Sequence, residues 1–134
     1  MRNGNQFRDP MIVRIDATRI RDWDSFHAVF SEAMGFPEFY GANMSAWVDC
    51  MTSLDDPADG MTTHHVSPGA VLTLQIDGVD DFASRCPEQY EALIECSAFV
   101  NWRRIEQGAP AVLALSFYKT AGAEQTTRGA AGTS

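Results

Sequence analysis

The sequence predicts a small α/β domain in which helices pack on a three-stranded parallel sheet, in three layers. Segments with strand character are separated by segments with the apolar period of helices, in the order β-α-α-loop-β-α-β. Strands that alternate with helices favour parallel pairing through right-handed crossovers. The chain has 134 residues, of which 45% are hydrophobic, and this is enough for one modest core.

The first strand and the first helix are predicted near the start of the chain. Residues Met11–Asp16 alternate in polarity and are rich in β-branched side chains, as in a half-buried strand. A helix then begins at Asp22 or Asp24, since either can serve as N-cap, and Gly35 suits its end. Its apolar stripe consists of Phe26, Val29, Phe30, Ala33 and Met34.

Residues 36–54, with the sequence FPEFYGANMSAWVDCMTSL, predict an aromatic loop that leads into a short helix. The turn formers Pro37 and Gly41 lie among aromatic side chains, so the loop is not the usual polar one. Asn43 occupies the N-cap position. The helical stripe that we expect to face the core consists of Met44, Trp47, Val48 and Met51. The carboxylate of Asp49 lies near the middle of this helix, on a neighbouring face.

The second half of the chain adds a long loop, two helical segments and two strands. Residues 55–69 are rich in proline, glycine and aspartate and predict a long surface loop. Residues 70–76 predict a buried strand, and 80–85 a single helical turn. A long helix is predicted over 87–107, and its apolar face comprises Tyr90, Ala92, Leu93, Cys96, Phe99, Val100 and Ile105. Residues 111–117 are apolar on both faces and predict a buried third strand.

We expect one domain over residues 11–118, a flexible lead at 1–10 and a disordered tail at 119–134. The lead has no apolar stretch of the kind found in signal peptides, and the tail lacks periodicity. No run of about 18 apolar residues is present, which argues against a membrane span. The three cysteines are odd in number and lie in periodic segments, which indicates free thiols and a cytoplasmic protein.

Charge is distributed unevenly along the chain. The 10 basic and 18 acidic residues give a net charge of −8. Residues 36–91 hold ten acids and one base, a net charge of −9, so the rest of the chain sums to +1. Such a field repels nucleic acid and attracts a basic protein. Most acidic proteins are simply soluble, but here the acidity surrounds the aromatic loop and indicates a basic protein partner.

Residues 36–54 resemble the signature of the barstar family, which are intracellular inhibitors of barnase-type ribonucleases. The match is a gap-free frame of hydrophobic–Pro–Glu–aromatic–Tyr–Gly–x–Asn–hydrophobic–x–Ala, followed by Asp-Cys-hydrophobic-Thr on the helix. Outside this frame the similarity is one of element order, over about residues 11–117. The resemblance implies a barstar-like fold of the class predicted above. It also implies an inhibitor and not an enzyme, with no catalytic residue and no cofactor.

By this resemblance, Asp49 is the carboxylate that enters the phosphate site of the nuclease and accepts hydrogen bonds from its cations. The surrounding contact surface that the resemblance implies comprises Phe39, Tyr40, Gly41, Asn43, Ser45, Ala46, Val48 and Thr52. Occlusion of the active site is sufficient for inhibition, so no contact with nucleic acid is needed. The free protein is expected to be a monomer.

The chain departs from the family's common pattern at several positions. The family commonly has Tyr in place of Phe39, Asp in place of Ser45 and Trp in place of Val48. Its further acidic contact near the last helix has no clean match, because Arg103 and Arg104 lie in that region. These departures leave open whether the partner is a divergent ribonuclease or another basic toxin.

Two functions of other classes remain as alternatives. One is an acidic interaction module with a non-nuclease partner, which docks through residues 55–69. The other is a hydrolase that uses Cys50 as a nucleophile or a metal ion at His64 and His65. Adjacent histidines lack the usual spacing of a zinc site. The acidic setting of Cys50 raises the pKa of its thiol and weakens it as a nucleophile. No metal site is therefore predicted.

Overall fold

The computed structural model describes residues 11–120, which form a three-stranded sheet and its connecting helices. The strands are β1 (Met11–Asp16), β2 (Leu72–Asp77) and β3 (Leu113–Ser116). The helices of this range are α1 (Trp23–Met34), α2 (Met44–Thr52), α3 (Val79–Arg85) and α4 (Pro87–Glu106). Short 3-10 helices, Ala17–Arg19 and Pro57–Asp59, lie in the connections. The predicted lead at 1–10, and the predicted tail from residue 121 onward, lie outside the described residues.

The strands form one parallel sheet in the order β1-β2-β3. Both crossovers step in the same direction along the sheet, and right-handed crossovers of this kind place their helices on one face. Burial agrees with this arrangement, because the paired residues Val13 and Leu74 are buried whereas Ile12 and Arg14 on the other face are exposed. The predicted α/β class and parallel three-stranded sheet are confirmed. Sheet and helices form two layers rather than the three that the sequence predicts.

The core between the sheet and the helices is built on aromatic side chains. Phe26, Phe30 and Trp47 are fully buried, and the ring of Trp47 meets that of Phe30 edge-on with 5.7 Å between centroids. Such aromatic pairs stabilise by about 1 kcal/mol beyond the area that they bury. Met51 is fully buried as well. The prediction that Trp47 and Met51 belong to the core is therefore confirmed. These two side chains attach one face of α2 to the core.

Local signals in the sequence delimit α1. Asp22, rather than Asp24, is the N-cap: its carboxylate accepts from the Ser25 N–H at 2.8 Å, and Ser25 Oγ accepts from the Asp22 N–H at 3.0 Å. Gly35 ends the helix in the left-handed region with φ of 67°. A Cβ at Gly35 would also overlap the side chain of Thr63, so this position needs glycine for two reasons.

The 55–69 loop is anchored to the helices that precede it. The N–H of Thr63 donates to the carbonyl of Met34 at 2.9 Å, and the N–H of Val66 donates to the carbonyl of Leu54 at 3.0 Å. Val66 is buried in the core. The predicted surface loop is thus partly a packed segment that closes over the ends of α1 and α2.

Three features of the second half differ from the prediction. Helix α3 has 7 residues, about two turns rather than one. Strand β3 has 4 residues and buries only Leu113, because it is an edge strand with one neighbour among the described residues. On α4, Phe99 and Ile105 are exposed although the predicted apolar face includes them. The buried stripe follows Leu93 and Val100, and Phe99 lies about 100° away from Val100 around the helix.

Candidate partner-binding site

The aromatic loop at 35–43, between α1 and α2, gives two adjacent aromatic residues different roles. Tyr40 is half-buried, with its ring 4.6 Å from that of Phe36 and its hydroxyl oxygen 2.5 Å from Nδ1 of the buried His27. Burial raises the pKa of Tyr40 and lowers the pKa of His27, so both side chains are neutral near pH 7. Phe39, in contrast, is 76% exposed. Tyr40 therefore anchors the loop to α1, and Phe39 projects from it.

Asn43 begins α2, as the sequence predicts. Its Oδ1 accepts from the N–H of Ala46 at 2.8 Å, and its Nδ2 donates to the carbonyl of Gly41 at 3.4 Å. A Cβ at Gly41 would lie 3.3 Å from that Nδ2, which is tighter than an ordinary contact. These interactions fix the direction in which α2 leaves the aromatic loop. Both Gly41 and Asn43 are exposed, so they are also accessible to a partner.

The outward face of α2 carries Ser45 and Asp49, which lie one turn apart and are both exposed. Val48 is only 5% exposed because it belongs to the inward stripe of the helix. The backbone carbonyl of Val48 accepts from the hydroxyl of Thr52 at 2.6 Å. Among the remaining predicted site residues, Ala46 and Thr52 are half-buried. Most of the predicted site residues are therefore exposed or half-buried, whereas the side chain of Val48 packs mainly in the core.

Helix α2 packs against α4, and an open groove of about 350 Å³ lies between their outward faces. The α2 wall consists of Met44, Ser45, Val48 and Asp49, and the α4 wall consists of Cys96, Phe99 and Arg103. These α4 residues are not among the site residues that the sequence predicts. The apolar period of α4 gave no signal for them, because it places Phe99 on the predicted inward face, whereas Phe99 is exposed in the structure.

Asp49 is engaged within the chain by Arg103. The Nη1 of Arg103 donates to Oδ1 of Asp49 at 3.1 Å. The side chain of Asp49 is 58% exposed and that of Arg103 is 33% exposed, so water screens this ion pair. The guanidinium carbon of Arg103 also lies 6.0 Å from the ring centroid of Phe99, within the range of a cation–π contact. Among the described residues, Oδ2 of Asp49 receives no hydrogen bond and remains open to a partner.

Arg104, the next residue, serves a different purpose. Its side chain is buried and donates to both carboxylate oxygens of Asp55, at 3.1 and 2.7 Å. It also donates to the carbonyls of Thr52 and Pro110, each at 2.8 Å. The hydrogen bonds from Arg104 hold the pKa of Asp55 below its usual range. Arg104 therefore fastens the end of α2 to α4 and to the segment before β3.

The acidity of residues 36–91 is partly neutralised by arginines. Within residues 11–120, four of the ten acids in this segment accept from an arginine, and these are Asp49, Asp55, Asp77 and Asp81. Asp77 pairs with Arg14, and Asp81 pairs with Arg85. Glu38, beside Phe39, is exposed. The negative field near the aromatic loop is therefore weaker than the charge count alone suggests.

The chemistry of Cys50 favours a structural role. The thiol is buried, and burial, followed by the charges of Asp49 and Asp59, raises the pKa of Cys50 to about 11. At neutral pH the thiol is protonated and is a poor nucleophile. Within residues 11–120, no group of three or more His, Cys, Asp or Glu side chains is placed to hold a metal ion.

None of the described helices is long and apolar enough to cross a membrane.

Comparison with known proteins identifies the chain at the level of its family. A comparison with curated proteins gave no match. The family model Barstar, described as barnase inhibitor, matches residues 11–115, a range that includes the aromatic loop, α2 and α4. Because this match covers most of the chain, the protein belongs to the barstar family.

Proposed function

We propose that this protein is a cytoplasmic inhibitor that binds a barnase-type ribonuclease, or a related basic toxin, and occludes its active site. The observation that carries the proposal is the match to the barstar family over residues 11–115, together with the exposed carboxylate of Asp49 on α2. The free inhibitor is a monomer, and inhibition requires neither a cofactor nor a catalytic residue of its own.

The proposed contact centres on Asp49. A ribonuclease holds the phosphate of its substrate with cationic side chains. Oδ2 of Asp49 takes the place of a phosphate oxygen and accepts a charge-assisted hydrogen bond from such a cation. The exposed side chain of Ser45 lies one helical turn before Asp49, and the exposed ring of Phe39 lies on the loop that leads into the same helix. RNA is then excluded sterically, and no rearrangement of α2 is required.

The net charge of −8 favours association with a basic partner over long distances. Association rates that are steered by charge fall as salt rises, an effect for which the barnase–barstar complex is itself the standard example. We therefore expect a salt-dependent association rate and a dissociation rate that depends less on salt.

The test is a titration of ribonuclease inhibition with the purified protein. Barnase and the barnase-type ribonucleases of the source organism serve as targets. Asp49→Asn is expected to weaken inhibition by at least about 30-fold, because a partner cation loses its carboxylate. Asp77→Asn is the matched control, since Asp77 is also a partly exposed aspartate paired to an arginine at 3.1 Å.

The outcomes separate clearly. Inhibition that is lost in Asp49→Asn and retained in Asp77→Asn supports occlusion at the phosphate site. Equal inhibition by all three proteins would show that binding does not centre on Asp49. Absence of inhibition across the whole set of nucleases would refute the proposed function.

A further inference from the structure

The α4 wall of the groove, together with Trp102 stacked on its Phe99, carries features that occlusion by a single carboxylate does not use. Arg103 places a positive charge directly beside Asp49. Phe99 and Trp102 are 45% and 57% exposed, and their rings stack with 5.9 Å between centroids and 15° between planes. Exposed aromatic side chains next to an arginine are typical of the residues that dominate binding energy at protein interfaces.

Arg103 would oppose a partner that is purely basic at this place. The Asp49–Arg103 pair is exposed, so displacing one hydrogen bond of it costs little. The guanidinium nevertheless remains close, because it also lies 6.0 Å from the ring of Phe99. A partner cation that approaches Asp49 therefore meets a second cation at short range. Two cations that face each other in an interface weaken binding by more free energy than an exposed ion pair contributes. An anion between them removes this repulsion.

We propose that the groove recognises a partner surface that carries both charges, with a cation facing Asp49 and a carboxylate facing Arg103. An apolar side chain of the partner then covers Phe99 and Trp102. This inference rests on the proposed function. A ribonuclease active site that activates a ribose hydroxyl with a carboxylate base contains a carboxylate next to phosphate-binding cations. The charges of such an active site are complementary to those of the Asp49–Arg103 pair. Arg103 then determines which partners the groove accepts.

The test measures binding in a double-mutant cycle. Barnase and the barnase-type ribonucleases of the source organism are the probes, each as wild type and with the carboxylate base of its active site changed to the corresponding amide. Because those variants lose activity, dissociation constants are measured by calorimetry. Arg103→Gln is expected to weaken binding to the wild-type nuclease about tenfold, the size of one charged hydrogen bond. Against the amide variant of the nuclease, the same substitution is expected to change binding less than about twofold, because the partner carboxylate is already neutralised.

Two further variants sharpen the cycle. Arg103→Glu is expected to weaken binding to the wild-type nuclease more than Arg103→Gln, since it sets two carboxylates against each other. Trp102→Ala tests the apolar part of the surface and is expected to weaken binding to both forms of the nuclease. Arg14→Gln is the matched control, because it removes the same charge from an exposed ion pair of the same length on β1. It is expected to leave binding unchanged.

The results distinguish this inference from the proposed function. Suppose that Asp49→Asn abolishes binding but Arg103→Gln leaves binding unchanged or tightens it. That result would overturn the inference and leave the proposed function standing. The same follows if Arg103→Gln weakens binding equally to both forms of the nuclease. Wild-type protein that binds none of the nucleases would overturn both.

Discussion

Two adjacent arginines of α4 each bind an aspartate of the α2 region, yet they differ in almost every physical respect. Arg104 is buried and donates to Asp55 and to two backbone carbonyls. Arg103 makes one hydrogen bond, to Asp49, in an exposed pair. A hydrogen-bonded charge that is buried costs much free energy when its partner is removed, whereas an exposed pair contributes little. Arg104 therefore stabilises the fold, and Arg103 remains available to a partner.

The aromatic loop shows the same division. Tyr40 contacts Phe36 and His27 and is half-buried, while its neighbour Phe39 is exposed. In both places one residue of a consecutive pair fixes the geometry and the other is presented to solvent. In both pairs, the more buried residue therefore holds its exposed neighbour in a fixed position on the surface.

The largest expected effect is on the anchoring arginine. Arg104→Met leaves the carboxylate of Asp55 and the carbonyl of Thr52 without their donor. We expect the free energy of unfolding to fall by about 2–3 kcal/mol, somewhat less than for a completely buried pair because Asp55 is partly exposed. Urea denaturation followed by circular dichroism measures this loss. A variant as stable as the wild type would remove the distinction between the two arginines.

A smaller effect is expected at Tyr40. Tyr40→Phe removes the hydroxyl that contacts Nδ1 of His27 and leaves a buried ring nitrogen without that partner. The free energy of unfolding is expected to fall by about 1 kcal/mol. Phe39→Ala is the matched control on the exposed side, and we expect it to change stability by no more than about 0.5 kcal/mol. If Phe39→Ala were the more destabilising of the two, the roles assigned within the loop would be reversed.

The Arg104–Asp55 pair also predicts a dependence of stability on pH. The pKa of Asp55 is lowered from its ordinary value of 3.8 in the folded state by the hydrogen bonds from Arg104. Its contribution is therefore fully present above pH 3.8 and is lost as pH falls through the lowered folded value. The stability difference between wild type and Asp55→Asn should shrink over that range. A difference that stays constant from neutral to acidic pH would show that Asp55 is not the titrating group.

The smallest expected effect is on the presenting arginine. Arg103→Gln breaks an exposed pair whose partner is more than half exposed. Its free energy of unfolding should stay within about 0.5 kcal/mol of the wild type. Chemical denaturation of this variant beside Arg104→Met completes the comparison. Destabilisation similar to that of Arg104→Met would mean that Arg103 also holds the fold together.

Much of the fold follows from local patterns in the sequence. The spacing of apolar residues locates α1, α2 and α4 and assigns Trp47 and Met51 to the core. Asn43 begins α2 and Gly35 ends α1, because capping depends on hydrogen bonds and backbone angles within a few residues. Alternation of strands with helices is likewise enough to predict a parallel sheet.

Which side chains meet across the groove depends on how distant segments of the chain pack together. Asp49 and Arg103 are 54 positions apart, and nothing in their local sequence distinguishes Arg103 from Arg104 as the partner of Asp49. The choice depends on the angle and register at which α4 packs on α2, and a shift of one residue turns a side chain by about 100°. Helical periodicity also placed Phe99 on the inward face, whereas packing left it exposed. The sequence was enough to predict the order of the elements and the caps of α1 and α2, because those depend on local hydrogen bonds and periodicity. Packing between distant segments decided which charges and rings the protein presents.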